Sequence, residues 1–489
     1  MKEKKFYGHF LINKLLKMKN NNTHKFNFAK HILILLSVFI VSCEKDDNDL
    51  TPHTITLVGD TSIDVNLYST YTDPGFSASD DTDGDITSLV VLGGDTVDTN
   101  TEGSYTVTYD VSDAAGNQAI QASRTISVVP NAVNAPATYA FTRNGESTVS
   151  FGGQSTRLAQ SNELYAALNA QTGVDVDALN QMFAGGSDGK SAGFADEALN
   201  GTTKLIRSKT SASAMRGSSA VKASFDAWIQ EYINDVMPNY GVDAAPGQAG
   251  AFGSYAFNAK GHEIDQLFFK GLIGAFTLDQ IVNNYIDSAY LESYKEDNTN
   301  DVISGSSNPY TTMEHKWDEG FGYLYGHAGE DIATAGSTPS GSGNLLMKYF
   351  KKVNSSDTKD PQIANDVYNA FIIGRAAIGA KNYTVMDAQS AIIKQKLSSV
   401  IGHYAIHYLS GAISTIGSST GADRLSAFHG LSEGYGFVLS LQFTNDGTDS
   451  PYFTKDEVDT YLTQIDNFYT VETATLQTIH DEIKSRFGI

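Results

Sequence analysis

Cysteine is nearly absent: the 489-residue chain has one, Cys43. A lone thiol closes no intramolecular disulfide and builds no cysteine-based metal site, which leaves histidine and carboxylates as the metal ligands on offer. No apolar run is long enough for a mature membrane span; the run Ile32–Val41, broken only by Ser37, has half the length needed. Positive charge is scarce, with 34 Lys and Arg against 56 Asp and Glu and a net charge of −22. That balance repels nucleic acid and anionic membrane surfaces and suits a soluble life outside the cell. Enzyme fingerprints are missing as well. There is no P-loop, and no dinucleotide fingerprint or serine nucleophile elbow in a strand–turn–helix context. His403 and His407 stand one helical turn apart, but His403-Tyr404-Ala405-Ile406-His407 lacks the glutamate of a zinc-protease motif. Without that base the pair reads as a divalent-metal couple or as packing beside Tyr404 and Tyr408.

What is present begins with an address. Lys25, Lys30 and His31 precede the Ile32–Val41 run, and Ile40-Val41-Ser42-Cys43 follows it. A basic flank, a short apolar core and a small residue before cysteine resemble a lipoprotein signal with its lipobox. Residues 1–42 are thus expected to be removed, with Met18 a second plausible start, and Cys43 to carry the lipid. Acyl chains contribute about 0.8 kcal/mol per buried CH₂, so a multiply acylated cysteine anchors a soluble domain. Residues 43–53 form an acidic tether. Its start, Glu44-Lys45-Asp46-Asp47-Asn48-Asp49, is similar to the signal that sends some lipoproteins to the outer face of the outer membrane.

Residues 54–130 alternate apolar and polar in short β-branched segments between Gly, Asp and Asn turns, as in Tyr105-Thr106-Val107-Thr108-Tyr109. This pattern predicts one small β-sandwich. Tyr71-Thr72-Asp73-Pro74-Gly75-Phe76, Asp83-Gly84-Asp85-Ile86-Thr87 and the stretch from Gly103 to Asn117 resemble a bacterial Ig-like module also found in pesticidal crystal proteins. The resemblance implies a spacer or adhesion role. Asp81, Asp83 and Asp85, beside Asp80, crowd one loop, where hard oxygen ligands would suit calcium or simply cap a turn.

Residues 131–138 are a linker. From 139 to 489 helical periodicity dominates, with helices expected over Ser218–Met237, Ala256–Tyr294, Ile363–Ala380, Val385–Leu409, Ala422–Leu441 and Val471–Phe487. Thr311-Thr312-Met313-Glu314 and Thr454-Lys455-Asp456-Glu457 are capping-box patterns. The fold expected is therefore multidomain: an all-β sandwich followed by a large all-α bundle.

The bundle repeats itself. His315-Lys316-Trp317-Asp318-Glu319-Gly320-Phe321-Gly322-Tyr323 and His429-Gly430-Leu431-Ser432-Glu433-Gly434-Tyr435-Gly436-Phe437 share one pattern. Upstream of each lies a second echo, Lys270–Ala275 and Arg375–Ala380, in the same order. Two ordered matches argue for duplication. Within each copy His and Glu stand at i and i+4 on one helix face, where they could chelate a metal, or the carboxylate could fix the imidazole tautomer. The two couples, His315 with Glu319 and His429 with Glu433, are expected to converge inside the protein. The glycines beyond them weaken a helix unless close packing or a ligand requires them.

This duplication, with Tyr139-Ala140-Phe141, Ser147–Gln154, Gly261–Gly271, Glu314–Tyr323 and Phe428–Phe437, resembles a family of imelysin-like surface lipoproteins. The resemblance implies a duplicated helical bundle tied to iron uptake, or a metallopeptidase. Its signature is Gly-x-His-x-x-Glu on a helix. Aligned on Gly261, this chain places Glu263 at the histidine and Gln266 at the glutamate, with His262 and Asp265 one place off. Glu263, Asp265 and Gln266 are therefore candidate polar groups of the bundle interior, meeting His315 and Glu319. The expectation is a surface lipoprotein that binds iron, zinc or haem and hands it to an outer-membrane receptor or transporter. A metallopeptidase and an adhesion protein with no small ligand are the alternatives.

Overall fold

A computed structural model describes residues 49–51, 53–170, 175–305, 307–327, 336–338, 343–418 and 421–489. The signal segment 1–42, Cys43, most of the tether and most of the loop between Thr334 and Gly343 lie outside the described residues. The chain divides into two compact units: one holds the residues up to Val58, Gly75–Gly93 and Tyr109–Ala122, and the other Gly59–Pro74, Gly94–Thr108 and Ser123–Ile489.

Strands fill the region expected for the Ig-like module: β1 (Thr54–Leu57), β2 (Ser62–Asn66), β3 (Phe76–Asp80), β4 (Gly84–Asp85), β5 (Val91–Gly94), β6 (Gly103–Asp110) and β7 (Ala122–Val129). One sheet has the order β1-β3-β4, antiparallel, with Ile55 opposite Ala78. The other has the order β2-β7-β6-β5, with β2 parallel to β7 and Ile63 opposite Ile126. Strand alternation buries Ala78 and Val111 together with Ile86 in the first unit, and Val65, Ile126 and Val128 in the second.

Two small hairpins, β8 (Thr142–Arg143) with β9 (Glu146–Ser147) and β10 (Gly250–Phe252) with β11 (Tyr255–Phe257), punctuate an otherwise helical remainder. Its longer helices are α1 (Gly152–Asn169), α2 (Val176–Ala184), α3 (Ser219–Glu231), α4 (Ile264–Leu272), α5 (Thr312–Tyr325), α6 (Leu345–Asn354), α7 (Ile363–Gly379), α8 (Tyr383–Ser418), α9 (Phe428–Ser440), α10 (Lys455–Gln464) and α11 (Thr473–Phe487). Both capping boxes form: Thr311 opens α5 and Thr454 opens α10, each with its glutamate reaching back to the cap backbone. Ser218 caps α3, whose stripe of Val221, Phe225 and Ile229 is buried, and the helix widens into a π-turn over Tyr232–Val236.

The expected helix from Ala256 starts later. Tyr255–Phe257 pair as β11, Gly261 sits at φ +89°, and the N-cap position falls only at Glu263. The chain then runs as α4 and two π-turns, Ile273–Leu278 and Ile281–Tyr285. Every residue from Gly261 to Asp287 is buried, so this is the central helix of the bundle. At 36 residues, α8 spans about 54 Å and extends the expected Val385–Leu409 helix at both ends.

The duplicated helices pair crosswise. The first echo of one half, α4, packs on the second echo of the other, α9; likewise α7 packs on α5. Glycines serve both contacts, Gly436 of the repeat in the first and Gly374, outside it, in the second. A Cβ on Gly436 would lie 2.5 Å from Lys270 Cβ and 2.7 Å from the backbone of Leu267 and Gly271, so α4 and α9 touch backbone to backbone there. Gly374 of α7 similarly makes room for the indole of Trp317 on α5.

Candidate functional site

The α4–α9 contact brings one expected set of polar residues together. Glu263 stands at the N-cap position of α4 without a side-chain cap bond, and the hydroxyl of Ser432 on α9 accepts its backbone N–H at 2.8 Å. Its carboxylate lies 2.6 Å from His429 Nδ1, while Glu433, one turn along α9, lies 3.7 Å from Nε2. The imidazole is therefore flanked by two carboxylates on opposite nitrogens. Lys270 anchors the far side: its ammonium is 3.0 Å from Glu433 and donates to Gln266 Oε1 at 2.6 Å. Gln266 in turn donates to Asp265, which also accepts from Asn169. The Tyr255 ring stacks on His429 at 4.5 Å, and the Tyr408 hydroxyl donates to Glu433. His429 is the wettest member, its side chain 32% exposed against 7% for Glu263.

Burial pushes Glu263 well above the ordinary carboxylate range, although the bond from His429 opposes it. Asp265 is raised for the same reason. The Glu263 hydrogen bond raises His429 against the effect of burial. The pair thus holds a proton between a buried carboxylate and a solvent-touching imidazole.

The other couple has different surroundings. His315 Nε2 and Glu319 lie 3.9 Å apart on α5. Glu319 is engaged by Lys316 at 2.6 Å and by the Gln154 amide at 2.9 Å, and Tyr310 stacks on the His315 ring at 4.9 Å. Among the described residues no hydrogen bond or ion pair joins this couple to His429, Glu433, Glu263, Asp265 or Gln266. The expected meeting of Glu263 with His315 is corrected: crosswise pairing of the helices gives Glu263 to His429 instead.

His315 and Glu319 line a cavity of about 440 Å³ with Ser150, Gly152, Gly153, Gln154, Arg157, Lys204, Lys209, Tyr285, Tyr310 and Lys316. Four cationic side chains thus face one carboxylate. Among the described residues, Arg157, Lys204 and Lys209 have no carboxylate within ion-pair distance. Arg157 is nearly buried, its guanidinium held by the carbonyls of Leu205 and Gly153. The ammonium groups of Lys209 and Lys316 both sit over the Tyr285 ring, at 5.2 and 5.6 Å. Burial, and next the charge of Arg157, lowers the Lys209 pKa. Burial also lowers His315; at Glu319 burial is the largest single effect, but Lys316, His315 and the Gln154 bond together overcome it and hold the carboxyl below its ordinary value. The N-terminus of α1, with no side-chain cap, opens at Gly152 and Gly153 on the same cavity and adds the positive end of its dipole. Nothing in the sequence pattern singled out Lys204 or Lys209, which come from the short helical turn Ile206–Lys209 and the segment just before it.

Among the described residues, trios of His, Asp or Glu with ligand atoms mutually within 4.8 Å occur only in the Ig-like region. His403 is half-buried and His407 exposed, edge-on to Tyr404 and Tyr408. In the Ig-like loop, Asp85 accepts the Thr87 N–H at an ordinary turn position, Asp83 accepts the N–H of Ala114 from a distant loop, and Asp81 accepts the Thr51 hydroxyl.

Comparison with known proteins matches this division. The family described as "Domain of unknown function (DUF4856)" covers residues 136–489, and "Bacterial surface protein, Ig-like domain" covers residues 55–128. No curated protein matches the chain. Among solved structures, the lipoprotein BT2262 from Bacteroides thetaiotaomicron is 27% identical over 20% of this chain, with a TM-score of 0.16. The chain spans 46% of that protein's length.

Proposed function

This chain belongs to the DUF4856 family, and on that footing we propose that it is a cell-surface binding protein that takes a small anion, a carboxylate or phosphate compound, into the cavity between α1 and α5. The Ig-like module acts as its spacer and Cys43 as its lipid anchor, facing the cell exterior from the outer membrane. Support for a surface location comes from the Ig-like match.

One observation carries the ligand class. In a chain of net charge −22, four cations line one cavity against a single carboxylate, and three of the four lack an acidic partner among the described residues. Desolvated like charges are unfavourable unless an anion joins them. A cavity of about 440 Å³ is of small-ligand size, and the helix N-terminus and the Gln154, Ser150 and Tyr310 groups offer hydrogen bonds. Calorimetric titration of detergent-solubilised full-length protein with phosphate, sulfate, citrate and glucuronate tests this. At least one should bind with salt-sensitive affinity that Lys209→Glu abolishes; no heat with any of them, or binding unchanged by Lys209→Glu, overturns it.

A second reading keeps the iron, zinc or haem expectation, with the imelysin kinship it came from and delivery to an outer-membrane receptor or transporter. His429 between Glu263 and Glu433 is the observation that favours it. The carboxylates take opposite ring nitrogens, so a metal there would have to displace Glu263 from Nδ1 or sit at Nε2 with Glu433. Metal binding lost in His429→Ala supports this reading.

A further inference from the structure

His53 lies just before β1, 3% exposed, and its Nε2 is 2.9 Å from the carbonyl oxygen of Val111. A carbonyl only accepts, so Nε2 carries the proton and the neutral ring turns the Nδ1 lone pair inward. Nδ1 is buried and has no hydrogen-bond partner. It faces Asp113, whose Oδ2 is 3.7 Å away, and Asp80, 8% exposed, whose Oδ2 is likewise buried and unpartnered. One ligand atom from each of His53, Asp80 and Asp113 lies within 4.8 Å of the others, and Asp49, Asp80 and Asp81 form a second such trio on the outer side.

Neither protonation state of the ring satisfies this arrangement. The neutral ring points a lone pair at two carboxylates. The imidazolium would aim an N–H at an acceptor 3.7 Å away, beyond hydrogen-bond reach. A cation satisfies both orphaned atoms at once. Donors about 2.0–2.2 Å from a zinc ion stand about 3–4 Å from one another, which fits the trio. The supports a metal ligand needs are in place: the second ring nitrogen donates to a carbonyl, Asp80 Oδ1 accepts the N–H groups of Thr82 and Asp83, and Asp113 Oδ1 accepts that of Asn117.

We propose that His53, Asp80 and Asp113 form a divalent-cation site in the Ig-like module, with Asp49 and Asp81 on its solvent side. The imidazole nitrogen selects a transition ion, zinc or manganese, over calcium, whose ligands are oxygens. The ion clasps the end of the tether to the β3–β4 loop and to the loop after Val111, and so stiffens the module at its anchored end. The site differs from the calcium loop expected at Asp81, Asp83 and Asp85: neither Asp83 nor Asp85 belongs to either trio.

The test strips detergent-solubilised full-length protein with a chelator and adds zinc, manganese or calcium chloride, with retained metal measured by elemental analysis. Retention of one zinc or manganese is expected. His53→Gln and Asp113→Asn should weaken it at least ten-fold, while Asp85→Asn leaves it unchanged. Because the variants could misfold, hydrogen exchange of the wild-type protein supplies a second readout: zinc should slow amides around residues 49–53, 80–83 and 111–117. No retained zinc or manganese, calcium held more tightly than either, no protection in those segments, or loss in His429→Gln with His53→Gln unaffected would each overturn the proposal. Anion binding by the helical domain is read in a separate titration, so either idea can fail alone.

Discussion

The ammonium of Lys270 on α4 lies 3.0 Å from the carboxylate of Glu433 on α9. The equivalent cation of the other half, Arg375 on α7, does not reach the equivalent glutamate, Glu319. It pairs instead with Glu314 at 2.9 Å and Asp318 at 3.0 Å on the facing helix α5. One duplicated scaffold thus carries two electrostatic solutions. In one, a lysine, a glutamate and a histidine form a network open to water at His429. In the other, an arginine is sealed in the core, and Glu319, with no Arg375 to meet, turns to Lys316 and the basic cavity.

The sealed arginine should matter for stability. Arg375 is 1% exposed, bonds Thr148 Oγ1 as well as both acids, and lies over the Phe141 ring. Arg375→Ala leaves Asp318 buried without its counter-charge and takes one of two arginines from Glu314, which keeps Arg143. It should cost about 3–5 kcal/mol, read from urea unfolding. Arg375→Lys should recover only part, because an ammonium cannot span two carboxylates as a guanidinium does.

Close approach of the helices should be intolerant of one carbon atom. In Gly436→Ala the new methyl meets the α4 backbone at 2.7 Å, which no rotamer change relieves. The expected loss is about 1–3 kcal/mol or more, seen as a lower melting temperature. Gly430→Ala, on the same helix with open space around it, should be neutral or mildly stabilising.

The Glu263–His429 pair sets a pH dependence whose sign follows from the raised His429 value. A histidine whose folded pKa exceeds its unfolded one stabilises the protein fully below the unfolded value, about 6.5, and loses that contribution as pH rises through the folded one. Glu263, also raised, acts in the same direction, because the native state keeps a proton that the unfolded chain has lost. Stability should therefore decline as pH rises from about 4.5 to about 7 through Glu263, and from about 6.5 upward through His429. Glu263→Gln should flatten that decline and bring the His429 ring titration, followed by NMR, down toward or below its ordinary value.

Local features were the legible ones. Thr311 with Glu314 and Thr454 with Glu457 announced helix starts because a capping box needs only four adjacent residues. The strand pattern of 54–130 and the His-x-x-x-Glu repeat were likewise plain from spacing. The expected joining of the two couples failed, because their partners depend on which distant helix each echo meets, and the echoes cross over between halves. Helix α8 outran its expected ends, with no proline between Pro361 and Pro451 to stop it. Lys204 and Lys209 carry no motif, and His53 is a single histidine in a polar stretch. Each gains meaning only from neighbours far along the chain.

The most direct test of the central claim follows the His315 ring by NMR while phosphate and glucuronate are titrated into wild-type protein and into Arg157→Gln. The imidazole lines the cavity and is held neutral by burial beside Lys316, so an anion seated among these cations should raise its pKa and shift its ring signals saturably. The account predicts that response in the wild type, weakened in Arg157→Gln, with the His429 signals unmoved. Ring signals of His315 that stay constant at every anion concentration would contradict it.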